Sequence, residues 1–309
     1  YPIRKNIQSN IIMLSILIPT YNYDCYDLVA ELHRQASQLN IEFEIIVADD
    51  CSTSNLSKLP HINQLSNCQL IKPQHNLGRA KIRNFLADKS QYNHLLFLDS
   101  DSFPANNDFL KKYIEHIPQN ITILGGRIYN DAQNEHHTLL TLYGSTKERN
   151  NNPIHISNTP FTSPNFLIPK TIFNKIRFNE NIKGYGHEDT IFGIELSRLN
   201  IPYYRFDNPI IHLQIEDNLT FIQKTKESIS NLYNIHITKQ YPEIQTLSPV
   251  LKLYTKIKKL HLTTIFTKIY RRSILFGSCP EKSSVFLRLA KKLFAFENEE
   301  PKKRKRFGD

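Results

Sequence analysis

Apolar positions along this chain come in short blocks broken by polar punctuation, and the period inside each block identifies the element it predicts. Residues 14–19 form a continuous β-rich apolar run that stops at Thr20-Tyr21-Asn22, the pattern of a buried strand entering a loop. Residues 27–39 change to helical spacing, with Leu28, Leu32, Ala36 and Leu39 on one stripe. Residues 43–48 predict a second buried strand, 70–72 a third, 79–88 a helix and 94–98 a fourth strand. Strands alternating with helices at this spacing predict βαβ units and a mostly parallel sheet, an α/β fold. Further along, 121–129 and 203–213 each read as one strand, 161–169 as strand-like, 133–152 as a polar loop and 190–199 as a helix.

The regularity that matters is positional. Each apolar strand runs into polar or acidic residues at its C-terminal end, the edge where open α/β sheets bind ligands. Three strand ends deliver Thr20-Tyr21-Asn22, Asp49-Asp50 and Asp99-Ser100-Asp101.

Charge changes this picture only at one end. The formal net charge is +10, but residues 251–309 hold 16 Lys+Arg against 5 Asp+Glu, or +11, so the first 250 residues sum to −1. Basicity is a property of the tail, and a nucleic-acid partner for the body of the chain is not expected. In the tail, Val250, Leu253, Tyr254, Ile257 and Leu260 form one stripe with Lys252, Lys256 and Lys259 elsewhere; Phe286, Leu289, Leu293 and Phe296 repeat the pattern with Arg288, Lys291 and Lys292. Two basic amphipathic helices are expected, docked on the main domain or lying on an anionic bilayer. The basic run at 302–306 reads as a solvated end.

Four scattered cysteines without a C-x-x-C pair suggest neither a zinc cage nor a disulfide framework, which fits a reducing cytoplasm. No apolar run reaches 18 residues. A cytoplasmic location, peripheral on the cytoplasmic face of the inner membrane, is therefore expected. Three segments follow: a leader at 1–12, a main domain at 13–245 that divides near 130, and a basic helical extension at 246–309.

Candidate chemistry sits on the strand ends. Asp99 and Asp101, one residue apart where a strand becomes a loop, suit a hard divalent cation such as Mn²⁺ or Mg²⁺, although an isolated pair of this kind also serves as an acidic turn. Asp49-Asp50 is placed to accept an N–H from a ligand or to cap a turn. His75–Asn84 puts a glycine turn before a helix carrying Arg79 and Arg83, which would clamp phosphates or face solvent. Gly184-Tyr185-Gly186-His187-Glu188-Asp189 leads into the helix at 190, where the dipole keeps carboxylates ionised, the state a general base requires. His212 closes an apolar strand and gains meaning only beside the aspartates.

In this order, Ile18-Pro19-Thr20-Tyr21-Asn22, the strand ending in Asp49-Asp50-Cys51-Ser52, Asn76-Leu77-Gly78 with Arg83-Asn84, Phe97-Leu98-Asp99-Ser100-Asp101, the 184–189 motif and His212 resemble a family-two inverting glycosyltransferase of the GT-A fold. The second half is similar to the galactosyltransferase and polypeptide N-acetylgalactosaminyltransferase catalytic region, and the resemblance spans about residues 14–235. It implies a UDP-sugar donor, a glycan acceptor that is free or lipid-linked, and transfer in cell-surface polysaccharide or lipid-linked glycan synthesis. By the same resemblance Pro19 and Tyr21 line the uracil pocket and Asp50 bonds the base. Asp99 with Ser100 faces the ribose, Arg83 faces the diphosphate, and Asp101 and His212 hold Mn²⁺ or Mg²⁺. Asp189 is the implied base and Glu188 positions the acceptor, with Tyr185, Gly186, His187 and Asn165 near the donor or acceptor sugar. The family's tryptophan in the Gly-Trp-Gly motif is Tyr185 here. The competing readings are a nucleic-acid binder led by the tail, an inactive nucleotide-sugar binder, and a nucleotidyltransferase on a similar sheet.

Overall fold

The computed structural model describes residues 11–117, 121–129, 138–144, 155–156 and 161–260. The expected second tail helix and the basic run at 302–306 lie outside them, as does residues 1–10 of the expected leader.

Four parallel strands form the first half: β1 (Ile12–Thr20), β2 (Ile41–Asp49), β3 (Cys68–Ile71) and β4 (His94–Leu98), in the order β3-β2-β1-β4. Their near-continuous apolar runs bury both faces, as parallel strands between helices require. Leu14, Ile16 and Ile18 pack with Leu28, Val29 and Leu32 of α1 (Tyr26–Ser37) on one side. Leu17, Ala48 and Phe97 pack with Ala80, Ile82 and Leu86 of α2 (Arg79–Lys89) on the other. Each fully buried Leu, Ile or Phe among these contributes ~1.5–3 kcal/mol. Thr20 lies opposite Asp49 in the register, so the ends of β1 and β2 are level. β1 begins at Ile12, paired with Ile41, one residue inside the expected leader.

Past β4 the sheet changes direction. β6 (Thr122–Leu124), β8 (His155–Ile156), β9 (Asn165–Pro169) and β10 (Tyr203–Arg205) complete an eight-stranded sheet in which β9 runs antiparallel to both β4 and β6. A second sheet holds β5 (Ser102–Pro104), β7 (Arg127–Tyr129) and β11 (Ile210–His212) in the order β5-β11-β7. The runs at 121–129 and 203–213 are thus two strands each, not one. The first breaks at Gly125-Gly126, where Gly126 has φ +84° and a Cβ on Gly125 would lie 2.3 Å from the Tyr113 hydroxyl. Hydrophobic period alone does not register a strand that leaves one sheet for another, and this switch carries Arg127 and His212 out of the main sheet.

The expected polar loop at 133–152 contains a short helix, α4 (Thr138–Tyr143). α3 (Phe109–His116), α5 (Lys170–Ile176) and α6 (Glu188–Arg198) cover the sheets. The largest element missed in the sequence is α7 (Asn218–Thr238), which starts at an Asp217 cap accepting the Thr220 N–H at 2.7 Å. With α8 (Ile244–Leu247) and α9 (Pro249–Lys259) it forms a third core around Ile191, Ile194, Leu232, Tyr233, Leu251 and Tyr254. The boundary expected at 245/246 falls inside this core: the apolar stripe of α9 docks on the main domain, leaving Lys252, Lys256 and Lys259 exposed. Among the described residues no helix is long and apolar enough to cross a membrane.

Candidate active site

The ends of β1 and β2 are stitched into one platform. Asn22, in the left-handed region at φ 54°, accepts the Thr53 and Ser54 N–H groups on its side-chain oxygen at 2.7 and 3.0 Å. The Asn22 N–H donates to Ser52 Oγ at 2.8 Å, and the Asp50 N–H to the Thr20 carbonyl at 2.8 Å. Asp50 is buried, and its two carboxylate oxygens accept the Leu77 N–H at 2.6 Å and the Gly78 N–H at 2.9 Å. It therefore shapes the glycine turn before α2, and an ionised carboxylate bound this way retains lone pairs for a further donor. Tyr21 projects into solvent beside half-buried Pro19, as a stacking surface must.

The end of β4 carries a buried charge cluster. Asp99 accepts Arg83 Nη2 on Oδ1 and Arg127 Nη2 on Oδ2, both at 2.6 Å. Burial works against its ionisation, but the guanidinium groups of Arg83, Arg127 and Arg79 outweigh that and hold its carboxyl well below the usual range. Ser100 is half-buried in the turn into β5. Asp101 is tied to the second sheet by the Leu213 N–H, which donates to its carbonyl at 2.8 Å. Its Oδ1 stands 3.5 Å from Nδ1 of buried His212, a nitrogen that makes no hydrogen bond. The His212 ring packs edge-on to Tyr129 at 5.3 Å between centroids. A buried ring nitrogen left unmatched beside a carboxylate is a side-chain set that fits one divalent cation, with further ligands to come from a bound diphosphate. Among the described residues no group of three His, Cys, Asp or Glu side chains could hold a metal unaided.

The third component is the start of α6. Gly184, Gly186 and His187 all have positive φ, at 75°, 96° and 74°, and Glu188-Asp189 follow as its first turn. Glu188 is buried, with Oε1 accepting Arg79 Nε at 2.6 Å and Oε2 unpartnered. Burial opposes its charge, and Arg79 and Arg83 overcome that to lower its pKa. Asp189 is half-buried and accepts the Thr190 N–H on Oδ1 at 2.7 Å. The Arg79 guanidinium also lies 5.2 Å from the centre of the Tyr185 ring. His187 Nε2 lies 3.1 Å from Ser228 Oγ, and burial lowers its pKa.

One chain of contacts thus joins the expected parts: Glu188 to Arg79, Arg79 through its carbonyl to Arg83 at 2.9 Å, Arg83 to Asp99, and Asp99 to Arg127. Three guanidinium groups against two carboxylates leave this cluster one positive charge, which suits an anionic ligand.

Two expected site residues lie deep in the frame of the site. Arg83 is 3% exposed, with Nη2 on Asp99 and Nη1 on the Arg79 carbonyl, so it braces Asp99; Arg79, 40% exposed, is the more open cation. Asn165 is 3% exposed, accepting the Tyr113 hydroxyl at 2.5 Å and donating to the Gly126 and Asn208 carbonyls at 3.0 Å. Its amide braces the strand switch. Arg127 escaped the sequence reading altogether; the only signal for it is a basic residue directly after a two-glycine break in an apolar run.

The family model described as glycosyl transferase family 2 matches residues 15–177. An uncharacterised glycosyltransferase of Haemophilus influenzae is 28% identical over 190 residues, covering 60% of this chain and 72% of that one. Two further curated relatives are matched over 34% and 55% of their own length. Among solved structures, the mannosyltransferase PcManGT of Pyrobaculum calidifontis, in complex with GDP-Man and Mn²⁺, superposes with TM-score 0.59 at 10% identity over 93% of this chain and 86% of that one. GalNAc-T7 with UDP, GalNAc and Mn²⁺ superposes with TM-score 0.53 at 14% identity over 68% and 44%.

Proposed function

Since the chain belongs to glycosyl transferase family 2 and has the GT-A fold, we propose that it moves a hexose or N-acetylhexosamine from a UDP-sugar to a hydroxyl of an acceptor glycan, inverting the anomeric carbon. The observation that carries this reading is the unmatched Nδ1 of buried His212 beside Asp101, at the ligand-binding edge of the sheet. Asp101 and His212 would hold Mn²⁺, or Mg²⁺, which supplies charge neutralisation to the departing diphosphate.

The uracil ring stacks at Tyr21 and Pro19, and its N–H reaches a remaining lone pair of Asp50. Asp99, locked by Arg83 and Arg127, faces the ribose. Asp189 takes the acceptor hydroxyl proton as that oxygen bonds to the anomeric carbon, and the bond to the UDP oxygen breaks. Glu188, held ionised by Arg79, orients the acceptor beside Tyr185. The acceptor belongs to cell-surface polysaccharide or lipid-linked glycan, and the exposed lysines of α9 suit an anionic membrane surface.

Melting temperature measured with UDP, GDP and their sugars, with and without Mn²⁺, tests the reading, because a ligand bound by the native state raises it. UDP with Mn²⁺ is expected to give the largest rise, and His212→Ala is expected to remove the Mn²⁺ increment. No rise with any nucleotide overturns the proposal.

A further inference from the structure

We infer that a polar stripe on α7, Lys224, Ser228 and Asn231, is the cradle that sets the 183–189 loop, making Ser228 and Asn231 positioning residues for proton transfer at Asp189; this rests on the transferase reading above. The three residues are spaced i, i+4 and i+7, so they lie on one helix face.

Each grips a different part of the loop. Asn231 Nδ2, with two hydrogens to donate, lies within reach of three loop carbonyls, those of Lys183 at 2.8 Å, Tyr185 at 3.1 Å and Gly186 at 3.4 Å. Ser228 Oγ meets His187 Nε2 at 3.1 Å, and a Cβ built on Gly186 would lie 2.6 Å from that same Oγ. Lys224 Nζ stands 5.2 Å from the centre of the Tyr185 ring and pairs with Glu216. The loop is not part of any strand, and Gly184, Gly186 and His187 are all left-handed. Glycine takes such φ freely, but His187 keeps it only where its surroundings over-determine it. The α7 side chains supply that determination from one side, and Arg79 bonded to Glu188 supplies it from the other.

The stripe also accounts for Ser at 228. A larger side chain there would strike Gly186, whose positive φ in turn favours glycine. Displacing the loop by a fraction of an ångström would move Asp189 while leaving Asp50, Asp101 and His212 on their strands.

Asn231→Asp keeps the shape but, ionised, accepts hydrogen bonds and no longer donates them. Hydrogen exchange of the amides of residues 184–189 is expected to quicken about tenfold while that of β1–β4 stays unchanged. UDP release from whichever of UDP-GlcNAc, UDP-GalNAc, UDP-galactose and UDP-glucose the wild type hydrolyses fastest is expected to fall ~10–100-fold, with UDP affinity held within about twofold. Ser228→Ala, which removes one hydroxyl and creates no clash, is expected to give the same pattern at smaller size and decides the matter if Asn231→Asp does not fold. Unchanged loop exchange overturns the cradle, and a fall in rate matched by an equal loss of UDP affinity overturns the positioning role. A wild type that releases UDP from none of the four sugars defeats the transferase reading, and loop exchange then still judges the cradle.

Discussion

Asp50, Asp99 and Asp101 stand at the ends of strands whose ladders and two apolar faces locate them, whereas Glu188 and Asp189 open a helix reached through left-handed backbone that side chains from α2 and α7 hold. The first group is anchored by cores in which Leu14, Ile16, Leu17, Ile18 and Phe97 are fully buried. In the second, α6 is itself cored by Ile191 and Ile194, but the loop that leads into it is gripped by hydrogen bonds, each worth about 1 kcal/mol net. On the roles proposed here, such a division would put nucleotide recognition on the strand ends and proton transfer beside the loop, the part better able to adjust when an acceptor arrives.

The contrast predicts that chemistry and binding come apart under mutation. Asp189→Asn is expected to lower transfer by ~10³-fold, the order of a lost general base, while UDP affinity in a titration stays where it was. Comparable activity in that variant would refute the base assignment and remove the functional distinction between the two regions.

A smaller effect is expected at the strand ends. Arg127→Leu leaves Asp99 with fewer cationic partners in a buried site and should lower unfolding free energy by ~3 kcal/mol in urea titration. The sign with pH follows from the direction of the Asp99 shift: its folded pKa lies below its unfolded one. Its contribution is therefore complete above about pH 5 and fades below ~4, where the unfolded chain's carboxyl takes up a proton that the folded one still resists. Arg127→Leu should flatten that acid limb; an unaltered limb would mean that the two arginines do not hold Asp99 charged.

The least change is expected from Gly186→Ala, which forces an alanine to φ 96° against Ser228 and should cost ~1–2 kcal/mol of stability. Melting temperature reads it, and acceptor KM should rise with donor KM steady. A variant as stable and active as the parent would show that the loop is not packed on α7 as tightly as these distances imply.

The first half was legible because parallel strands buried on both faces are written as apolar runs, and each run stops where the chain turns to the ligand edge. Boundaries for β4 and the start of α2 coincide with the pattern, and the 184–189 motif stood out by its glycines and paired acids. Illegible were the strand switches at Gly125-Gly126 and between Arg205 and Ile210, the helix α7, and the burial of Arg83 and Asn165. Helix α7 mixes Lys, Thr, Ser and Asn among its apolar positions because one of its faces meets the loop and not the core.

The sequence by itself determined the α/β class, the four leading strands and which residue types reach the ligand edge, because those follow from local period and from where apolar runs end. Tertiary structure alone decided which charges meet. Arg79 finds Glu188 109 positions away, and Arg127 finds Asp99 across two sheets. Ion pairs of that separation leave no periodic trace in a chain, since the contact is made by packing and its partners are chosen by where the sheet happens to bring them.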